Sequence, residues 1–217
     1  LQPLIEYIQA RNLPMTQNVV LDDYGPLRDT LRNLVQEGVV TQFDGPSERV
    51  FYVSLDHQHE AAFYRNTVIH FFLNRAIAEL AIIQAAEDGA EDVKAAAWQN
   101  AVRIKDLLKF EFFFPATRDF AGQMAAEYDL MYPGWQEDQF TPEVVLEEAQ
   151  QMKLVLAHRV IGPFLEAYSV LADELAAAGD ETVEQKSLTE TCLKLAKQRW
   201  LQKTLHSPES ISKDYFV

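Results

Sequence analysis

The chain has 217 residues, 48% apolar and 24% charged, an ordinary globular balance that excludes disordered, collagenous and low-complexity classes. Nineteen Lys and Arg against 33 Asp and Glu give a formal charge of −14, which repels polyanions, so no nucleic-acid partner is expected. A lone cysteine, Cys192, excludes an intrachain disulfide and fits a reducing compartment.

The chain opens Leu1-Gln2-Pro3 without a basic, apolar leader, the expectation for a segment from within a longer chain. Leu4, Ile5 and Ile8 suit one face of a short helix that Pro14 ends, and Leu27, Leu31, Leu34 and Val35 recur at helical spacing between Tyr24 and Glu37. Gly38 stops that second helix. Val39 to Phe43 and Val50 to Val53 are β-branched and aromatic, and Asp44-Gly45-Pro46-Ser47 between them is turn chemistry, so the pair reads as a hairpin. Residues 1–56 therefore form a winged-helix-like segment. Its candidate recognition helix carries only Arg28 and Arg32 beside Asp29 and Glu37, which points to packing or protein contact rather than DNA reading.

Residues 57–217 carry only helical periodicity and read as a helical bundle, so the fold class is mainly α. Helices are predicted at about 59–87, 90–113, 116–131, 142–178 and 182–205, with a kink at Gly162-Pro163. The most apolar stretch, Val68 to Ile83, is interrupted by His70, Asn74, Arg75 and Glu79, so no transmembrane segment is expected.

Polar residues inside that stretch stand out. Asn66, His70 and Asn74 lie four apart on one predicted stripe, and Arg65 and Arg75 flank it. A buried guanidinium must meet a carboxylate, and Glu111, set in Leu107-Leu108-Lys109-Phe110-Glu111-Phe112-Phe113-Phe114, is the candidate. Arg65, Asn66, His70, Asn74 and Glu111 are read as a network fixing helix register, with a polar site lining a cleft as the alternative. Phe110, Phe112, Phe113 and Phe114 are candidates for contact with a membrane surface or a partner. His57 and His59 are spaced poorly for ligation, His158 and His206 are isolated, and no Gly-rich phosphate loop or nucleophile elbow occurs. No metal, cofactor or catalytic residue is expected.

Phe63-Tyr64-Arg65-Asn66-Thr67-Val68-Ile69-His70, followed about forty residues later by Leu107 to Phe114, resembles the C-terminal region of membrane-associated glycerol-3-phosphate acyltransferases, both the bacterial PlsB type and the mitochondrial enzymes. The resemblance implies a parent enzyme of phospholipid synthesis that moves an acyl chain from acyl-CoA or acyl carrier protein to glycerol 3-phosphate at the cytoplasmic membrane face. In that family an upstream domain with a His-x-x-x-x-Asp motif does the chemistry. Five positions beyond His57, His59, His70, His158 and His206 stand Ala62, Tyr64, Arg75, Pro163 and Ile211, so the motif is absent here. The chain alone is therefore expected to be an inactive scaffold or regulatory portion whose partner is that upstream domain; a free-standing acidic interaction module is the rival reading.

Overall fold

The computed structural model describes residues 2–15, 20, 23–137 and 139–216. In chain order it holds α1 (Gln2–Ala10), α2 (Tyr24–Gln36), β1 (Thr41–Asp44), β2 (Arg49–Tyr52), α3 (Gln58–Asn66), α4 (His70–Glu87), α5 (Val93–Leu108), α6 (Thr117–Met131), α7 (Pro142–Gln151), α8 (Ala157–Val160), α9 (Gly162–Ala178) and α10 (Gln185–Leu201). The mainly α expectation holds. The strands form a two-stranded antiparallel sheet in the register Thr41↔Tyr52, Phe43↔Val50.

Packing groups the residues into two compact units, one formed by Leu1–Ala10 with Ile69–Phe164, the other by Arg11–Val68 with Leu165–Val217. The composition boundary at 56/57 is a division of sequence, and the units divide the chain differently.

The first unit is built around α4. Leu73, Ala76, Ile77, Ala78, Ala81, Ile82 and Ala85 are buried on all sides of it, as a helix without a polar face requires. Its many alanines let α5 approach closely through Ala97 and Ala101, and Asn100 Nδ2 donates to the Ala81 carbonyl at 3.2 Å. From α6, Phe120, Met124 and Tyr128 complete the core. Each fully buried side chain such as Ile77 or Phe120 contributes about 1.5–3 kcal/mol. The Tyr7 hydroxyl of α1 donates to the Phe71 carbonyl at 2.8 Å, and its ring stacks on Phe72 at 5.2 Å.

In the second unit, Ala167, Val170, Cys192, Ala196, Leu205 and Phe216 form the buried cluster, with the C-terminal turns folded onto α9 and α10. The hairpin module is thinly buried by comparison: α2 has no buried residue, and every residue of β2 is exposed.

Three departures from the predicted helices have local causes. The run from 59 to 87 breaks at Thr67-Val68-Ile69, three β-branched residues in a row, where the Thr67 hydroxyl donates to the Tyr64 carbonyl at 2.7 Å and the Val68 amide to that of Arg65 at 3.1 Å. The run from 142 breaks at Met152, whose ψ of 120° is extended. Pro163 begins α9 instead of kinking a continuous helix, which uses the proline where its missing N–H is harmless.

Candidate functional site

The most enclosed polar group in the first unit is Glu79, on the buried α4 helix one turn after Arg75. Arg75 Nε lies 3.4 Å from Glu79 Oε2, and the two side chains are 11% and 1% exposed. A lone carboxylate there would be prohibitive, and its partners are explicit. The backbone amides of Leu156 and Ala157 donate to it at 3.1 and 3.0 Å, while Arg75 reaches the Leu154 carbonyl at 3.4 Å. One ion pair thus clamps the non-helical connection between α7 and α8. This clamp overrides the helical pattern through 152–156.

Beside it, the Tyr132 hydroxyl is buried with no hydrogen-bond partner among the described residues. Burial pushes this phenol up to about 12. Tyr132 also walls a cleft of about 400 Å³ with Phe140, Val144 and Glu148. A neighbouring cleft of about 540 Å³ is lined by Glu91, Asp92, Lys94 and Thr141. Its helix ends are capped internally, with the Ala95 amide donating to Asp92 and the Val144 amide to Thr141. The Lys94 ammonium sits over the Trp135 and Phe140 rings at 5.2 and 5.6 Å. Carboxylates on these rims have the wrong sign for a phosphate ester.

In the second unit Glu166 of α9 holds the C-terminal segment. It accepts from the His206 amide at 2.8 Å, the Ser207 amide at 3.0 Å and the Ser210 hydroxyl at 2.7 Å. Burial alone would raise this carboxyl; the donors, the Ser210 hydroxyl foremost, outweigh it and hold the group below the usual carboxylate range. His206 Nδ1 is 3.2 Å from the same carboxylate, so serine, histidine and glutamate meet here. The arrangement does not activate a nucleophile, because Ser210 donates to the carboxylate and not to the imidazole.

The residues singled out from sequence fall in both units. Arg65 and Asn66 end α3 in the second, where Arg65 pairs with Glu209 at 2.8 Å and donates to Asn66 at 2.9 Å. The Arg65–Glu209 contact is short but poorly aligned with an N–H, an ionic contact more than a directed hydrogen bond. His70, Asn74 and Glu111 lie in the first unit. His70 is exposed with its ring against Phe71, Asn74 donates to Gln123 at 3.0 Å, and Glu111 is exposed in the loop after α5. The stripe through Asn66, His70 and Asn74 required one continuous helix, and the break at 67–69 removes it.

The aromatic run divides into two packed and two exposed rings. Phe112 packs on Phe164 at 5.0 Å and Phe114 on Phe120 at 5.9 Å, whereas Phe110 is 85% exposed and Phe113 fully so. Lys109 lies 5.3 Å from the Phe110 ring. Sequence reasoning missed Glu79 and Glu166. Glu79 had a signal, its position four residues after Arg75; Glu166 had none, since its partners lie forty residues on. Cys192 is buried, and burial pushes its thiol up, away from the reactive thiolate. Among the described residues no three of His, Cys, Asp and Glu converge as a metal site would require.

The molecule is thus a helical protein whose main polar clusters tie its own segments together. All 217 residues match the family model described as the glycerol-3-phosphate acyltransferase C-terminal region, and the chain belongs to that family. Relatives from Mycobacterium bovis and Mycobacterium tuberculosis, each named "Putative acyltransferase plsB1", are 36% identical over 220 residues, which is 99% of this chain. The chain spans 35% of the length of those relatives. No solved structure matches.

Proposed function

We propose that this chain is the non-catalytic C-terminal portion of a glycerol-3-phosphate acyltransferase, a scaffold for an acyltransferase domain in the same polypeptide. That domain would move an acyl group from acyl-CoA or acyl carrier protein to glycerol 3-phosphate at the cytoplasmic membrane face. The observation that carries the reading is chemical: no histidine in the 217 residues has an aspartate five positions on. A hydroxyl acceptor needs a positioned base. The acids described above, the buried Glu79 and the half-buried Glu166, are instead committed to backbone amides of their own units. The exposed Phe110 and Phe113, anchored by Phe112 and Phe114 and flanked by Lys105 and Lys109, support a contact between this loop and the membrane surface.

The test is an acyl-transfer assay with radiolabelled glycerol 3-phosphate and acyl-CoA. The 217-residue chain should give no product, and a polypeptide that also carries the preceding acyltransferase domain should give product. Turnover by the chain alone would overturn the scaffold reading. For the loop, Phe110→Ser with Phe113→Ser should reduce liposome flotation, and unchanged flotation would remove it from the membrane contact.

A further inference from the structure

The hairpin has two unlike faces. In the register observed, Thr41, Phe43, Val50 and Tyr52 point to one side, and Gln42, Asp44, Arg49 and Phe51 to the other. The polar groups of the second side satisfy one another, Arg49 Nε donating to Asp44 at 2.7 Å and Gln42 to the same carboxylate at 3.2 Å, and its one aromatic, Phe51, is 38% exposed. The first side has no charge, yet Phe43, Val50 and Tyr52 are 61%, 43% and 50% exposed. An isolated two-stranded ribbon is marginal in water, and one that turns its apolar face outward lacks the cover that would stabilise it.

We infer that this face, Phe43, Val50 and Tyr52, is the surface on which the acyltransferase domain of the same polypeptide docks. The inference rests on the function proposed above. Three observations select the occupant. The family is a C-terminal region and the chain spans 35% of its relatives, so in those relatives roughly two thirds of the polypeptide is available to cover it. Aromatic and β-branched side chains without charge make the centre of a lasting protein interface, where charged groups are depleted. A lipid surface would call for flanking Lys and Arg, and the hairpin offers Arg49 against Asp44 and Glu48. The face is read by shape and apolar area, so its counterpart is an uncharged patch.

The experiment uses the longer polypeptide with p-benzoylphenylalanine in place of Phe43 or Tyr52, and, on the opposite face, of Gln42 or Asp44. After irradiation, adducts are mapped by mass spectrometry, and acyl transfer is measured on the same samples. Adducts from positions 43 and 52 to the preceding part of the same polypeptide, several-fold above those from 42 and 44, are expected. Adducts to a second copy, to lipid or to an unrelated protein, equal yields from both faces, or no adduct would overturn the docking. The two readings fail separately. Acyl transfer without face-selective adducts rejects the docking surface and leaves the scaffold, whereas face-selective adducts in a polypeptide that transfers no acyl group reject the acyltransferase reading.

Discussion

Removing the Glu79 carboxylate would leave the Arg75 guanidinium unpaired inside the first unit and free the Leu156 and Ala157 amides at once. Glu79→Ala is expected to destabilise by about 3–5 kcal/mol, read from urea denaturation, because a broken buried pair leaves an uncompensated charge. Arg65→Ala should cost less, about 1–3 kcal/mol, since its pair with Glu209 is half-buried, at 28% and 14% exposed, and the Glu209 oxygen that it faces is left without a partner. A larger effect from Arg65 than from Glu79 would reverse this assignment. Glu166 gives a pH signature. Its folded-state value lies below the ordinary 4.5, so the stability it supplies is fully present above that pH and fades as pH falls through the lowered value. The difference in melting temperature between the native chain and Glu166→Gln should therefore be largest near neutrality and shrink in acid below about 4.5. The demand for a carboxylate near a buried arginine was legible from sequence. Its address was misread, because apolar neighbours of Glu111 suggested burial, while Phe110 and Phe113 around it face outward.

At the scale of elements, the hairpin turn depends on Gly45. Its amide donates to the Glu48 carbonyl at 3.0 Å, and a Cβ at position 45 would sit 2.8 Å from that same oxygen. Gly45→Ala should loosen the ribbon by about 1–3 kcal/mol, seen as faster amide exchange at residues 41–52 with α4 and α5 unaffected. Helix type and most ends were legible, because Pro142, Gly89 and Gly179 are local signals. The interruptions at 67–69 and 152–156 were not. The first lies in a stretch whose apolar period continues across it, and the second is imposed by Glu79, an acid on another helix.

For the molecule as a whole, a charge of −14 and the acidic clefts of the first unit predict no retention on a heparin or DNA column at pH 7 and low ionic strength. Retention there would mean that a local basic surface outweighs the total. No single helix among the described residues is long and apolar enough to cross a membrane. Fold class was legible at this scale because helical periodicity fills residues 57–217. The grouping into two units was not, because composition changes at the hairpin while packing joins α1 to residues beyond it.

That joining has a consequence during synthesis. Tyr7 finds its carbonyl acceptor 64 residues downstream, so the opening helix must idle while the whole hairpin module leaves the ribosome. At about 5–20 residues per second this wait is roughly 3 to 13 seconds. A nine-residue helix is too short to hold its form unaided for that time. The apolar side of α1 is therefore a chaperone's opportunity before it is part of a core, and slowing translation between codons 11 and 70 should lengthen that exposure.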